Sequence, residues 1–208
     1  MPLPNRVDPF GNLFAASARS TLMGNRGGKF HTDGQRLTSR RWVSRQWICC
    51  VLEFHGRRRD VWGRYYTELF FLDEVTAFAA GHRPCFECRR KDAERFALLF
   101  AGADPKSVRA HRVSARTMDD ALHAERLDGK AKRLHRRKLD ALPDAAMVLH
   151  EGEPWAVRGR QLLHWTPDGY DMARARLHAL DIDVLTPPSI LSVLARGYPP
   201  CWHPSADR

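Results

Sequence analysis

The sequence predicts an α+β protein in three parts. Residues 1–40 are expected to form a basic arm rich in Gly and Asn, and residues 41–105 a small unit with a strand pair and two short helices. Residues 106–208 are expected to form a basic region that ends in a small antiparallel β meander and packs with the rest of the chain. Three observations support this division: a nearly continuous β-branched and aromatic run, short segments with apolar residues at helical spacing, and late apolar runs separated by turns.

The elements of the N-terminal part follow in order. Residues 24–28 read Gly-Asn-Arg-Gly-Gly and are expected to form a turn in the arm. A buried strand is predicted over 42–54, and its returning strand over 65–71. A short helix over 73–80 should begin at the N-cap Asp73 and stop at Gly81, before a second helix over 89–100.

The C-terminal part is predicted to combine a helix with a series of short strands. A helix is predicted over 118–127, followed by three apolar runs at 147–149, 155–157 and 162–165. Gly-containing turns separate these runs, which indicates the antiparallel meander. A last helix is predicted over 190–195, led in by two prolines.

The composition is strongly basic. The chain has 208 residues, with 34 Lys and Arg against 24 Asp and Glu, a net charge of +10 and 43% hydrophobic residues. This charge favours polyanionic partners such as nucleic acid. No apolar run is long enough to span a membrane and no signal peptide is visible, so a cytoplasmic protein without a membrane partner is expected. Five cysteines in a reducing compartment point to metal binding or chemistry rather than disulfides.

The cysteines with the most informative spacing are Cys85 and Cys88, in the segment Arg-Pro-Cys-Phe-Glu-Cys-Arg-Arg. Two thiolates separated by two residues can bind one metal ion, and the neighbouring arginines favour the thiolate form. The competing interpretation is a reduced redox pair or two incidental thiols. We expect Zn²⁺ as the cofactor.

The residues that lead into this pair carry a resemblance to a known family. The segment 70–88, Phe-Phe-Leu-Asp-Glu-Val-Thr-Ala-Phe-Ala-Ala-Gly-His-Arg-Pro-Cys-Phe-Glu-Cys, resembles the second half of the Ada-type zinc-binding module. In that family four cysteines bind zinc, the module contacts DNA, and one thiolate accepts a methyl group from a phosphotriester. The resemblance therefore implies zinc binding and DNA contact. The family's upstream Cys-x-x-x-Cys is missing here, which weighs against methyl transfer.

The remaining zinc ligands follow from strand geometry only in part. Cys49 and Cys50 are the upstream thiols, and adjacent strand residues face opposite sides of a sheet. Only one of the two can therefore join the pair, and Cys50, nearer the turn, is favoured. Candidates for the fourth ligand are four histidines: His31, His55, His123 and His203.

A second metal interpretation uses His123-Ala124-Glu125. Zinc deaminases combine His-x-Glu with Pro-Cys-x-x-Cys, and the Glu moves protons between bound water and the base. Here the two motifs occur in the reversed order. If His123 bound the zinc beside Cys85 and Cys88, Glu125 would be the general base and a coordination position would stay open for water.

Three basic clusters are candidates for nucleic-acid contact. The first combines arginines with an aromatic residue that can stack on bases, the second flanks the cysteine pair, and the third lies in the basic segment after residue 106. Their members are Arg57, Arg58, Arg59, Arg64 and Tyr65; His82, Arg83, Arg89 and Arg90; and Arg133, Arg136 and Arg137.

The sequence thus favours a zinc-containing protein that binds nucleic acid, in DNA repair or modification, with the Ada resemblance tipping the expectation from RNA to DNA. An alternative is a metal-dependent enzyme acting on nucleic acid, such as a deaminase, a base-removing enzyme or a nuclease. The candidate nuclease residues are His111, His123, Glu125, His135 and Asp140. A third alternative is a zinc-stabilised interaction module. The sequence does not decide whether the protein is an enzyme.

Overall fold

A computed structural model describes residues 2–57, 60–103 and 113–207, and the statements below concern these residues. They form two six-stranded sheets and four helices, so the α+β class is confirmed. The first sheet contains β1 (Arg6–Val7), β2 (Leu13–Phe14), β3 (Leu22–Asn25), β4 (Ile48–Val51), β5 (Leu69–Phe71) and β6 (Arg83–Pro84). Its order is β2-β1-β5-β3-β4-β6, with parallel pairing only between β1 and β5 and between β4 and β6.

Helix α1 (Glu74–Ala79) occurs in the chain between β5 and β6. Two more helices follow β6, α2 (Arg90–Phe100) and α3 (Ala115–Arg126). A short hairpin of β7 (Leu127–Asp128) and β8 (Ala131–Lys132) comes next. The second sheet contains β9 (His135–Lys138), β10 (Met147–His150), β11 (Glu153–Arg158), β12 (Gln161–Thr166), β13 (Gly169–Ala175) and β14 (Asp181–Val184). It is antiparallel, in the order β13-β12-β11-β10-β14-β9, and α4 (Pro188–Ala195) follows it. The β10–β13 meander, α2 and α4 agree with the elements predicted there.

The N-terminal residues do not form the expected arm. They supply β1, β2 and β3, and β3 lies in the sheet between β4 and β5. The predicted pairing of the 42–54 and 65–71 strands is therefore wrong, and both strands are shorter than expected. Gly24 explains the close approach of β3, because a Cβ at this position would lie 2.1 Å from the Ile48 carbonyl oxygen and 2.8 Å from the Phe71 ring. Gly24 thus serves strand packing rather than the predicted turn.

Helix α1 has the ends that the sequence predicts. The Asp73 side chain accepts a hydrogen bond from Thr76 N at 2.8 Å, which makes it the N-cap. At the other end Gly81 has φ +83°, its N–H donates to Phe78 O, and the N–H of His82 donates to Ala77 O. These two bonds are a Schellman motif, in which glycine is favoured because the left-handed conformation costs other residues more.

Helix α4 ends in the same way. Gly197 has φ +86°, its N–H donates to Leu194 O, and Tyr198 N donates to Val193 O. A Cβ added at Gly197 would meet nothing within 4 Å, whereas a Cβ at Gly81 would lie 2.7 Å from Arg126 Cδ. The two helix ends therefore share their backbone geometry and differ in their surroundings.

The largest hydrophobic cluster draws on both halves of the chain. It includes Phe78 of α1, Phe96 of α2, Met118 of α3, Met147 of β10 and Val193 of α4. Smaller clusters lie within the N-terminal half and within the C-terminal half. The largest cluster therefore crosses the predicted boundary near residue 105. No helix of the described residues has the length and apolar character needed to cross a membrane.

Buried carboxylates on α1 bind the C-terminal segment. Asp73 accepts hydrogen bonds from the Tyr170 hydroxyl at 2.9 Å and from His203 N at 3.1 Å. Glu74 accepts from the Tyr198 hydroxyl at 2.9 Å and from Cys201 N at 2.9 Å. Both carboxylates are 0% exposed, so these bonds replace their hydration.

Candidate metal centre

Three cysteines lie together at one end of the first sheet. The sulfur atoms of Cys50, Cys85 and Cys88 all lie within 4.8 Å of one another. Cys50 belongs to β4, and parallel pairing of β4 with β6 brings in Cys85, whose N–H donates to Cys49 O at 3.0 Å. Cys88 lies in the turn that leads into α2. Sheet pairing and a tight turn thus position all three thiols.

Polar contacts at these sulfurs favour negative charge. Glu87 N donates to Cys85 Sγ at 3.4 Å, and the backbone of Val51 hydrogen-bonds to the Cys88 thiol. Hydrogen bonds from Cys50 and Cys88 lower the pKa of Cys85 well below its usual value. The same hydrogen bonds raise the pKa of Cys50, because its protonated thiol donates them and would lose them on ionisation. A metal ion bound by these sulfurs would displace their thiol protons, because the metal ligand is the thiolate.

Cys49 takes no part in this cluster. It is fully buried among other core residues and accepts a hydrogen bond from Arg89 Nη1 at 3.4 Å. Burial raises the pKa of its thiol. Side-chain alternation on β4 separates the two thiols, and the structure places Cys50, the residue favoured from the sequence, in the cluster.

The donor set suits a thiophilic ion such as Zn²⁺, which proteins commonly bind through cysteine thiolates. Three sulfurs leave one position of a tetrahedral site to another donor. The Met23 side chain, on β3 opposite Cys50, packs against Cys50 and Cys85. Sequence reasoning did not single out Met23, because its proximity depends on the unpredicted strand β3.

The proposed histidine ligands lie outside the sulfur cluster. His31 bonds to the Thr67 hydroxyl at 2.8 Å and stacks on Trp62. The Nδ1 atom of His203 bonds to the Ser205 hydroxyl at 2.8 Å. His55 is exposed and contacts Phe54. Among the described residues, the grouping of possible metal ligands contains only the three cysteines.

His123 and Glu125 do not form the catalytic pair that a deaminase needs. The Nδ1 atom of His123 lies 3.1 Å from Arg126 Nη2, and its ring contacts Trp42 edge-on. Glu125 accepts hydrogen bonds from Ser189 N at 2.9 Å and from Ser189 Oγ at 2.6 Å. It thus caps the first turn of α4. Neither residue joins the cysteines, so the prediction that His123 completes the site is corrected.

Three residues expected to contact nucleic acid are buried instead. His82 is 0% exposed between Trp47 and Phe71. Arg83 makes two 2.8 Å bonds to the Asp119 carboxylate, whose pKa is nevertheless raised because burial outweighs the contact.

The Arg89 guanidinium lies 2.8 Å from the Glu74 carboxylate and 2.9 Å from the Asp92 carboxylate. The burial of His82, Arg83 and Arg89, together with the two carboxylate pairs, removes these side chains from the candidate surface.

The other candidate contacts are exposed. Arg57 pairs with Glu87 at 2.7 Å, and Arg90 with Glu94 at 3.2 Å. Tyr65 is 71% exposed beside Arg64. On the edge strand β9, Arg136 pairs with Asp183 and Arg137 donates to a main-chain oxygen. Arg133, which precedes this strand, also donates to a main-chain oxygen.

The remaining candidates have other placements. Arg58, Arg59 and His111 lie outside the described residues. Of the other proposed nuclease residues, His135 binds Glu125 O at 2.8 Å, and Asp140 is exposed in a 3-10 turn.

Comparison with known proteins adds no further assignment. The chain matches no protein-family model, no curated protein and no solved structure. The likeness to the Ada-type module therefore stays a resemblance over about twenty residues, and the cysteine cluster is the site that the geometry itself assigns.

Proposed function

We propose that the chain is a zinc protein that binds nucleic acid, with DNA the expected partner. The single observation that carries the proposal is the cluster of Cys50, Cys85 and Cys88 sulfurs within 4.8 Å. Bound there, zinc would supply a cross-link between β4, β6 and the start of α2. A role in DNA repair or modification is proposed on the Ada resemblance alone.

A structural role for the zinc fits the burial of two of its three ligands, Cys88 being half-buried. Cys50 and Cys85 are 5% and 6% exposed, which leaves little access for a substrate. Glu125, the general base of the deaminase interpretation, is already bonded to Ser189. No observation favours an enzyme that uses this centre, so the zinc is proposed to stabilise the fold.

Metal analysis tests the centre directly. Protein purified from zinc-supplemented medium is expected to contain about one zinc per chain, because one cluster of three thiols is present. Cys50→Ser, Cys85→Ser and Cys88→Ser should each lose most of it. The matched control is Cys201→Ser, since Cys201 is exposed and bonds through its backbone to Glu74. Full zinc retention in Cys85→Ser would contradict the site.

The nucleic-acid part of the proposal rests on the net charge of +10 and on basic residues exposed near aromatic ones. Arg64 and Tyr65 combine a cation with a ring able to stack on a base. Arg136 and Arg137 lie on the edge strand β9. Such contacts predict an affinity that falls steeply as salt is added.

Fluorescence anisotropy with labelled duplex DNA and the matching RNA tests this part. Arg136→Gln with Arg137→Gln should weaken binding and reduce the slope of log K against log salt by about one per lost phosphate contact. Arg174→Gln is the matched control, because β13 is the opposite edge of the same sheet. Equal salt slopes for all these proteins would remove β9 from the interface, and tighter RNA binding would reverse the DNA assignment.

A further inference from the structure

A second site lies apart from the cysteines. A cavity of about 410 Å³ opens between the first sheet, the 39–47 segment and the β7–β8 hairpin. Its wall includes Arg26, Trp42, Trp47, Arg126 and Lys132, and none of the three clustered cysteines lines it. The volume suits a small organic ligand.

The cavity concentrates positive charge that the protein does not neutralise by ion pairs. Arg26 and Arg126 are each 1% exposed, and Lys132 is half-buried. Their hydrogen bonds go mainly to neutral carbonyl oxygens. Arg26 Nη2 donates to Gly11 O at 2.9 Å, Arg126 Nη1 to Gly81 O at 2.9 Å and Nη2 to Arg45 O at 2.7 Å, and Lys132 Nζ to Ala79 O.

Few carboxylates act on these cations. None of the three forms an ion pair within the part of the chain that the structure describes. Asp8 acts on Arg26 and Lys132 from a distance, and Asp119 is already bound to Arg83. Burial lowers the pKa of Arg26 and of Arg126 to about 9 and that of Lys132 to about 7. Two guanidinium groups and a partly protonated ammonium group, near one available carboxylate, would be stabilised by an anion.

Unused hydrogen-bond donors provide an independent observation. The Nε atom of Arg126 and the Nε1 atom of Trp47 are buried and have no hydrogen-bond partner among the described residues. Both residues line the cavity. Two guanidinium groups contact the Trp47 ring, with Arg26 3.8 Å and Arg126 4.0 Å from a ring centroid. Buried donors without acceptors are costly, so a ligand oxygen would relieve this cost.

We propose that this cavity binds a phosphate monoester, with its oxygens accepting hydrogen bonds from Arg126, Trp47 and Lys132. A phosphate monoester carries about −1.5 to −2 charges near pH 7, which matches the excess positive charge better than a single carboxylate. Guanidinium groups suit phosphate oxygens. The half-buried Trp42 ring offers an apolar wall to the organic part.

Isothermal titration tests the site with three probes: inorganic phosphate, adenosine 5′-monophosphate and adenosine. The monophosphate is expected to bind at least ten times more tightly than adenosine, because only it carries the dianion. Lys132→Gln should weaken monophosphate binding at least tenfold, whereas the control Lys138→Gln, on the exposed strand β9, should leave it unchanged. No binding of either phosphate probe to the wild-type chain, or equal affinity in Lys132→Gln, would overturn the proposal.

Two further measurements complete the test. Arg126→Lys keeps the charge and removes the free Nε donor, so weakened binding with an unchanged circular dichroism spectrum supports the assigned role, and unchanged binding contradicts it. Oligonucleotides with a 5′-phosphate or a 5′-hydroxyl distinguish the phosphate source. A tenfold preference for the phosphorylated end, with tighter binding than the mononucleotide, assigns the site to a strand end. Tighter binding of the mononucleotide assigns it to a small metabolite.

Discussion

The ends of α1 and α4 allow a paired test of how closely α3 packs against the first sheet. Gly81 and Gly197 both occupy the left-handed position of a Schellman motif, at φ +83° and +86°. Placing alanine at either position costs about 1–2 kcal/mol because of its Cβ in that conformation. Only at Gly81 does the new Cβ also collide, at 2.7 Å with Arg126 Cδ and at 2.8 Å with Arg126 Cβ.

The collision at Gly81 cannot be relieved by rotating a side chain alone. Arg126 Cβ belongs to the last turn of α3, so the helix itself must shift, and Arg126 would lose its bond to the Gly81 carbonyl oxygen. Overpacking of this kind costs about 1–3 kcal/mol. Gly81→Ala is therefore expected to lose about 2–5 kcal/mol of unfolding free energy, and Gly197→Ala about 1–2 kcal/mol.

Urea unfolding followed by tryptophan fluorescence measures this difference. With a slope of about 2 kcal/mol per molar urea, the Gly81→Ala midpoint should lie roughly 0.5–1.5 M below that of Gly197→Ala. Zinc is held at the same saturating concentration for both variants. Equal midpoints would show that Arg126 does not press on Gly81, and this would refute the packing argument.

Three further predictions concern interior polar groups and the cap of α4. Asp119→Ala should lower the free energy of unfolding in urea by about 3–5 kcal/mol, because Arg83 stays buried without its partner. The double variant Arg83→Met with Asp119→Leu should recover most of this loss. An unchanged free energy in Asp119→Ala would contradict the role of the pair. Burial and the charges of Arg26, Arg126 and Lys132 hold the pKa of His82 well below its usual value. Below about pH 6.5 the unfolded chain therefore binds a proton that the folded His82 does not. As the pH falls further, the free energy of unfolding in urea should decrease by up to about 1.4 kcal/mol per pH unit, and this part of the decrease should be absent in His82→Phe. Glu125→Ala should cost about 0.5–2 kcal/mol through the lost α4 cap with zinc content unchanged, and loss of zinc would restore the His-x-Glu interpretation.

Sequence reasoning succeeded for features that depend on neighbouring residues and failed for features that depend on distant contacts. The α1 stop at Gly81, the Asp73 cap and the antiparallel meander depend on neighbouring residues, and each was predictable from local chemistry. The position of β3 was not, because its insertion between β4 and β5 depends on contacts made across the sheet. Met23 reaches the cysteines only through that insertion.

The charged residues show the same limit. The sequence of an arginine run does not distinguish exposed side chains from side chains that form buried ion pairs. Arg90 is exposed and Arg89, its neighbour, is buried against Glu74, and nothing in their spacing separates the two. The cavity formed around Trp47 was likewise beyond prediction, since Arg26 and Arg126 meet there from distant parts of the chain.

By itself, the sequence determined the α+β class, the Cys85–Cys88 pair and the rule that only one of Cys49 and Cys50 could join it, because these depend on local spacing and on the two-residue period of a strand. Only the tertiary structure decided that His123 and Glu125 lie away from the sulfurs and that His82, Arg83 and Arg89 are interior. It also assembled the cationic cavity. These features arise from long-range packing, in which burial decides whether a charge meets solvent, a carboxylate or a ligand.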